Sequence, residues 1–405
     1  MTPVIDTGNT GFMLIATSLV MLMTPGLAFF YGGLVGKKNV LAIMIQIFAS
    51  LAVTDIIWYT VGYSLCFSGG EGQIIGNLDM AFLRGVDMNS VFGPSSIPLY
   101  VFIVYQMMFA IITPALITGA FANRVRFGAY FIFLILWMIC VYFPFVHMVW
   151  GNGLLAKWGV RDFAGGIVVH ATAGFAALAA VYYVGKRKVT TLEAHNLPLV
   201  AIGTGLLWFG WYGFNAGSEL RVDQITCLAF LNTDLSASVA AITWLMVSWW
   251  FEAKPKFLGL LTGSIAGLAT ITPCAGFVTP NSSIIIGFLA GIVCYGAIAL
   301  KNRLGWDDAL DVWGVHGVGG VLGSMLLGVF GTTAINSGGF DGILAGGGFS
   351  FLFRQTAAVI LASVYAFLFS YAILYSINIF TPVKVSEEHQ EGGLDEALHG
   401  EQAYL

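Results

Sequence analysis

Long apolar runs, separated by short polar segments, follow one another along most of the chain. A membrane-spanning helix needs about 20 predominantly apolar residues. Eleven runs come close to this length or exceed it, at 9–34, 40–66, 98–121, 128–150, 162–184, 197–217, 231–251, 258–277, 283–300, 309–330 and 355–379. The pattern therefore predicts an all-α integral membrane protein with eleven transmembrane helices.

The basic residues of the loops predict the orientation of these helices. One set of segments holds twelve of them, Lys37, Lys38, Arg124, Arg126, Lys186, Arg187, Lys188, Lys254, Lys256, Lys301, Arg303 and Lys384. The alternate set holds five, Arg84, Lys157, Arg161, Arg221 and Arg354. Because cytoplasmic loops carry the excess of Lys and Arg, the N-terminus is expected outside and the C-terminus in the cytoplasm.

The composition excludes two broad classes of protein. Hydrophobic residues make up 58% of the chain and charged residues 9%, whereas soluble domains contain about 45–50% and about 25% respectively. An ordinary soluble enzyme is therefore excluded. The net charge is −4, and no basic block is long enough to follow a nucleic-acid backbone, so nucleic acid is not an expected partner. The five cysteines form no C-x-x-C pair, and no zinc site is predicted.

Two similar patterns combine an acid, a glycine-rich segment and a histidine. Asp162 precedes His170 at the start of the fifth span, and Asp311 precedes His316 at the start of the tenth. These spans are five helices apart, so the loop charges make them enter the membrane from opposite faces. This parity predicts an inverted repeat of five helices.

The predicted repeats cover about 9–184 and 197–330, and a last helix follows at about 355–379. Together they form a transmembrane domain over 1–379. Residues 380–405 form a polar cytoplasmic tail with six acidic side chains, Glu387, Glu388, Glu391, Asp395, Glu396 and Glu401. The tail is either a solvated end or, through apolar anchors such as Leu394, Leu398 and Tyr404, a segment that lies along the inner loops.

Ionisable side chains within a membrane are costly and are therefore functional candidates. At 1.5 Å per residue, His170 and His316 lie within about 8 Å of each other along the membrane normal, near the midplane of a core of about 30 Å. They form either a hydrogen-bonded core pair or a functional pair. Asp162 and Asp311 either cap their helices or attract a cation. No third His or Cys lies at the same depth to complete a metal site.

Several ten-residue segments, in order along the chain, resemble one family. They are PGLAFFYGGLV (25–35), FPFVHMVWG (143–151), DFAGGIVVH (162–170), WFGWYGFNAGS (208–218), DVWGVHGVGG (311–320) and the tail GGLDEALHGEQAYL (392–405). These segments are similar to the ammonium transporter (Amt/Rh) family, in its prokaryotic Amt branch. The resemblance implies eleven helices, two inverted repeats and a homotrimer with one pore per subunit, located in the cytoplasmic membrane as a multi-pass protein.

The same resemblance implies roles for particular residues. Trp150, Phe109 and Ser218 are expected to bind substrate at an outer site, and Phe109 and Phe214 to stack as a gate. The pore would be lined by His170 and His316, hydrogen-bonded to each other, and by Leu207, Trp211 and Val312.

The hypothesis that follows is transport of ammonium without a cofactor or an enzymatic activity. Ammonium would be recruited by the aromatic site, lose its proton, and pass the apolar pore as NH₃; the proton either moves along the histidine pair or stays outside. An alternative function is an ammonium sensor that signals through a cytoplasmic partner. The resemblance also implies membrane lipid and a PII-class signal protein on the cytoplasmic face as partners.

Overall fold

The computed structural model describes residues 4–70, 73–188 and 194–404. The chain is mostly helical, and its helices are α1 (Thr7–Leu34), α2 (Val40–Phe67), α3 (Leu99–Ile117), α4 (Phe127–Trp158), α5 (Gly166–Val184), α6 (Leu197–Glu219), α7 (Gln224–Glu252), α8 (Phe257–Ile271), α9 (Pro280–Leu304), α10 (Trp313–Phe330), α11 (Phe349–Phe380) and α12 (Glu387–Gly392). Two short antiparallel strands, β1 (Val91–Phe92) and β2 (Ile97–Pro98), lie between α2 and α3.

Several helices contain or begin with π-helical turns, in which the chain is wound more loosely than in an α-helix. These turns are Trp58–Gly62 in α2, Met138–Tyr142 in α4, Gly166–Ala171 in α5, Trp313–Gly317 in α10 and Asp395–His399 after α12. The turns in α5 and α10 carry the two predicted pore histidines. Single 3₁₀ turns cover Ala81–Leu83, Gly93–Ser95, Gly217–Glu219 and Ile343–Ala345.

Ten helices of the described residues are long and apolar enough to cross a membrane. They cover ten of the eleven predicted spans. The predicted span 258–277 contains α8, an apolar helix of 15 residues, which is about 22 Å long and shorter than a hydrocarbon core of about 30 Å. The number eleven and the orientation of the chain therefore stay predictions.

Two helices begin earlier than the apolar pattern predicts, and each has a local reason. α7 starts at Gln224, and not near 231, because Asp223 closes a capping box on its first turn, which satisfies N–H groups that would otherwise lack partners. α11 starts at Phe349, and not near 355, so it includes the charged residue Arg354. The guanidinium of Arg354 lies over the ring of Phe340 at 4.7 Å, an interaction that reduces the cost of this charge within the helix.

Glycines bring together helices that occupy equal positions in the two predicted repeats. α1 packs along α6, where a Cβ on Gly203 would lie 2.3 Å from the backbone nitrogen of Phe30. α5 packs against the start of α10, where a Cβ on Gly174 would lie 2.2 Å from the Cα of Gly317. Both approaches require the absence of a side chain. These pairings bring the histidine-bearing turns into contact.

The tail returns to the core after α11 ends. Lys384 forms a β-bridge with Val125, between α3 and α4. Farther along, the carboxylate of Asp395 accepts a hydrogen bond from the backbone N–H of Ala42 at 2.8 Å, in the first turn of α2. Asp395 therefore satisfies an N–H group at the start of another helix, as an N-cap does.

The apolar anchors of the tail make further contacts with the core. Leu394 is buried with Ala42, and Leu398 packs against them. The hydroxyl of Tyr404 lies 2.9 Å from Nε2 of His195, in the segment before α6. The described part of the tail, which runs to residue 404, is therefore a segment folded against the loops that are predicted to be cytoplasmic.

Candidate functional site

A cavity of about 490 Å³ opens at the end of the bundle that is predicted to face outside. It is lined by residues from several helices, including Phe109 of α3, Trp150 of α4 and Ser218 of α6. The rings of Phe109 and Trp150 are 5.8 Å apart at 87°. The structure therefore brings together the three residues that the sequence predicts for substrate binding.

Hydrogen bonds fix the orientation of two of these side chains. The indole Nε1–H of Trp150 donates to the carbonyl oxygen of Asp162 at 2.9 Å, which fixes the orientation of the ring. The hydroxyl of Ser218 donates to the carbonyl oxygen of Phe214 at 2.8 Å, and the hydroxyl of Tyr105 lies 3.3 Å away. The Ser218 oxygen therefore keeps acceptor capacity toward a ligand N–H group.

Asp162 caps the start of α5. Its two carboxylate oxygens accept hydrogen bonds from four successive backbone N–H groups, those of Gly165, Gly166, Ile167 and Val168, at 2.7–3.1 Å. Of the two interpretations of this residue, the geometry is that of a helix cap. Since its own carbonyl oxygen accepts from Trp150, Asp162 also connects the cap of α5 to the outer cavity.

Two aromatic rings close the floor of the outer cavity. The ring centroids of Phe109 and Phe214 are 4.3 Å apart at 34°. Phe109 lines the outer cavity, and Phe214 lines a second, smaller cavity below it. The predicted gate residues thus form the wall between the two spaces.

The second cavity has a volume of about 20 Å³ and contains both histidines. A single water molecule needs about 10–15 Å³, so this space holds one small molecule. Nδ1 of His170 and Nδ1 of His316 are 3.3 Å apart, a distance at which one nitrogen donates and the other accepts. The imidazole of His170 also stacks on Trp211, with centroids 5.5 Å apart.

Apolar and aromatic side chains form most of the remaining wall. They are Met23, Leu27, Phe30, Tyr31, Ile112, Leu116, Val169, Leu207, Trp211, Phe214 and Ile265. Leu207 and Trp211 are therefore placed where the sequence predicts them. Val312 is buried against Gly119 and Tyr31, and it does not belong to the described linings of this cavity or the next one.

A third cavity, of about 140 Å³, continues toward the opposite end of the bundle. It shares Phe30, Tyr31, Ile265 and His316 with the histidine cavity. The three cavities therefore form a series through the molecule. The sequence analysis does not predict Phe30, Tyr31 and Ile265 as lining residues, although two of them lie in the segment PGLAFFYGGLV.

The predicted helix cap at Asp311 is wrong. The Nζ of Lys301 lies 2.5 Å from Oδ1 of Asp311, and φ of Asp311 is +61°, so its carboxylate points to a lysine. The residue that caps α10 is Asp308, whose Oδ2 accepts from the backbone N–H of Trp313 at 2.7 Å. The spacing gives the signal for this: Asp308 precedes His316 by eight residues, as Asp162 precedes His170.

A group of charges joins the segments that follow α3 and α5 to the segment that precedes α10. The guanidinium of Arg187 pairs with Asp307 at 2.6 Å, and Arg124 lies 3.6 Å from the same carboxylate. Burial alone would raise the pKa of Asp307, but its hydrogen bonds to Arg187 and the charge of Arg124 keep that pKa below its ordinary value. Among the described residues, no three His, Cys, Asp or Glu side chains lie close enough to hold a metal ion.

Comparisons with known proteins agree with this arrangement. Residues 11–404 match the family model described as Ammonium Transporter Family. The chain is 45% identical to an ammonium transporter of Bacillus subtilis (strain 168), with 98% of each chain covered. It is 41% identical to ammonium transporter Amt1 of Archaeoglobus fulgidus, with 98% of this chain and 99% of that one covered.

Solved structures share the fold. The crystal structure of Candida albicans Mep2 is similar with a TM-score of 0.89 and 34% identity, over 95% of this chain and 88% of that one. A structure described as Sensor Amt Protein is similar with a TM-score of 0.88 and 29% identity, over 97% of this chain and 98% of that one. The family match over nearly the whole length, together with these relatives, shows that the chain is a multi-pass membrane protein that belongs to the ammonium transporter family.

Proposed function

We propose that this protein moves ammonium across the cytoplasmic membrane, with the cation bound at the outer cavity and NH₃ passing the histidine pair. The observation that carries the proposal is the series of three cavities, the narrowest of which contains His170 and His316. Membership of the ammonium transporter family supports the identity of the substrate.

The outer cavity suits a small cation that can donate hydrogen bonds. A cation over the faces of Trp150 and Phe109 gains about 0.5–2 kcal/mol, and the hydroxyl of Ser218 can accept one N–H group. Ammonium resembles K⁺ in size, so size cannot distinguish them. Aromatic faces and one hydroxyl supply too few oxygens to replace the hydration shell of a metal ion, and the site therefore favours ammonium.

The apolar lining of the histidine cavity is the reason why ammonium would lose a proton before it enters. The histidine cavity is mostly apolar and holds one small molecule. An unpaired ion there would lose its hydration at a large cost, whereas NH₃ can hydrogen-bond to an imidazole nitrogen as it passes. Nε2 of His170 is buried and has no hydrogen-bond partner in the described protein, so this atom is available to the passing molecule.

Proteoliposomes given a pulse of ammonium test this function. With current and internal pH recorded together, we expect an ammonium-dependent signal that protein-free liposomes lack and that K⁺ does not produce. If the proton crosses along the histidine pair, a current accompanies uptake; if it stays outside, the interior becomes alkaline without current. Absence of both signals in correctly folded protein would overturn the proposal of transport.

An ammonium sensor is the second candidate function. Two observations favour it. The chain is similar to a structure described as Sensor Amt Protein. The tail is also docked, since Asp395 accepts a hydrogen bond from the first turn of α2. Ammonium binding with no flux would support the sensor. Ammonium flux, together with a cytoplasmic partner whose binding does not depend on ammonium, would exclude the sensor function.

We further propose a homotrimer embedded in lipid and a PII-class signal protein as the cytoplasmic partner. The ordered tail supports the second of these, since Lys188 pairs with Glu387 at 2.8 Å and mixed charges favour specific docking. Truncation after Val385 removes the contacts of Asp395 and Leu394 with α2. We expect weaker PII binding and altered flux, with ammonium binding at the outer cavity unchanged. Unaltered flux and PII affinity in the truncated protein would contradict this role of the tail.

A further inference from the structure

The outer cavity contains charged side chains that the aromatic site does not use. Two acids and one base line it: Asp162, Glu219 and Arg161. Both oxygens of Asp162 are occupied by backbone N–H groups. The guanidinium of Arg161 donates to the carbonyl oxygen of Gly338 at 2.7 Å and lies 4.8 Å from the centre of the Phe340 ring. Of the two acids in the described lining, Asp162 is thus directed toward the start of α5, and Glu219 is the candidate to act on a ligand.

The chain places Glu219 next to the binding residues. It directly follows Ser218 in the last turn of α6, and Leu220 then takes a left-handed conformation, with φ of +63°, which turns the backbone away. The side chain of Glu219 is 10% exposed, although it lies at the mouth of a wide cavity. The carboxylate is thus held at the cavity wall, and not extended into solvent.

The neighbouring base neutralises Glu219 only in part. Arg221 contacts Glu219 at 2.8 Å and Asp223 at 2.7 Å, so one guanidinium is shared between two carboxylates. When both carboxyls are ionised, the three side chains together carry one net negative charge. The side chain of Arg221 is also 45% exposed, where water weakens its field.

We propose that Glu219 is an affinity-determining residue of the outer cavity, which raises the local concentration of ammonium ahead of the aromatic site. The inference rests on the proposed function and adds Glu219 to the residues that determine how ammonium binds. Attraction between opposite charges at a partly hydrated surface corresponds to about threefold to tenfold in binding. Because a carboxylate attracts every small cation, Glu219 sets apparent affinity, while the aromatic faces set the choice between ammonium and K⁺.

Two substitutions with opposite effects test the inference. In proteoliposomes, Glu219→Gln should raise the ammonium concentration for half-maximal flux by about threefold to tenfold, with the maximal rate unchanged. Arg221→Gln, which leaves Glu219 unneutralised, should lower that concentration. If the ion pair of Glu219 with Arg221 had only a structural role, both variants should shift the half-maximal ammonium concentration in the same direction, since either substitution breaks the pair.

The control is Asp87→Asn, an exposed acid in the segment between α2 and α3 that does not line the cavity; it should leave the half-maximal concentration unchanged. Raising ionic strength with N-methyl-glucamine chloride should shrink the difference between wild type and Glu219→Gln. Equal shifts in both variants, or no shift in either, would overturn the inference. If Glu219→Gln does not fold, Arg221→Gln alone decides by the sign of its shift. Wild-type protein without ammonium flux would instead overturn the proposed function.

Discussion

At the start of α5, both oxygens of Asp162 accept hydrogen bonds from backbone N–H groups, whereas at the start of α10 only Oδ2 of Asp308 has such a partner. Oδ1 of Asp308 is buried without a hydrogen-bond partner in the described protein. Both acids stand eight residues before a histidine of the predicted pore. The two helix starts therefore share a spacing and differ in how completely the cap is formed.

The surroundings of the two caps differ as well. The carbonyl oxygen of Asp162 holds the indole of Trp150, so the cap of α5 is part of an aromatic cavity. The carbonyl oxygen of Asp308 accepts from Lys301 at 3.0 Å, and the same lysine pairs with Asp311. The two helix starts thus share the spacing of acid and histidine, while the side chains around them differ. The end with the Trp150 cavity carries the proposed cation site, and the other end carries the ion pair of Lys301 with Asp311.

Removal of the two caps should give the largest difference between the ends. Asp162→Ala leaves four buried N–H groups without acceptors, and each such group costs about 1–3 kcal/mol. That sum is comparable with the whole stability of an ordinary protein, about 5–15 kcal/mol. We expect Asp162→Ala to yield little folded protein by size-exclusion chromatography in detergent, and Asp308→Ala to yield clearly more.

An intermediate variant sharpens this test. Asp162→Asn keeps one acceptor oxygen, which can receive two of the four N–H groups, so its yield and thermal stability should fall between those of wild type and Asp162→Ala. Equal stability of Asp162→Ala and Asp308→Ala would show that the two caps are equivalent, and the comparison would fail.

A smaller effect is expected when one tryptophan is replaced at each end of the bundle. The two variants test whether the apparent affinity for ammonium depends on the outer cavity alone. Trp150→Leu keeps bulk but removes the indole face, a loss of about 0.5–2 kcal/mol. The ammonium concentration for half-maximal flux should rise by roughly 2-fold to 30-fold, with the protein still folded. Trp306→Leu should leave it unchanged, because Trp306 packs against Trp313 at the start of α10 and does not line the outer cavity. An equal change in both variants would remove the assignment of affinity to the outer cavity.

The smallest expected effect concerns pH. Burial raises the pKa of Asp308 from 3.8 to about 6, so the folded state binds a proton more readily than the unfolded state does. The ionised carboxyl therefore destabilises the fold above about pH 6, and this penalty disappears as the pH falls toward the unfolded value. Between pH 7.5 and 5, wild type should gain about 1 kcal/mol relative to Asp308→Asn.

Thermal unfolding of both proteins in detergent at the two pH values measures this difference. Other titrating groups are common to both proteins and largely cancel. A stability difference between wild type and Asp308→Asn that does not change with pH would contradict the assignment of a buried, incompletely capped carboxyl at the inner end.

Particular residues show how much of this the sequence could predict. The apolar runs located ten of the membrane-spanning helices, because burial in lipid requires long apolar segments. The sequence pattern pairs Asp311 with His316, whereas in the structure the cap is formed by Asp308. The contact between Asp395 and Ala42 joins residues 353 positions apart, and no local pattern contains it. The position of Glu219 depends on the left-handed turn at Leu220, which a leucine does not signal.

The central claim is that ammonium crosses by way of the histidine pair. It is tested most directly by ammonium and K⁺ fluxes in proteoliposomes that contain wild type or the variant with both His170→Ala and His316→Ala. Single substitutions leave one imidazole without its partner, at about 1–3 kcal/mol, whereas the double variant removes the polar path altogether. We predict impaired or less selective ammonium transport in an assembled protein of normal size. Wild-type rates together with wild-type selectivity for ammonium over K⁺ in the double variant would contradict the account.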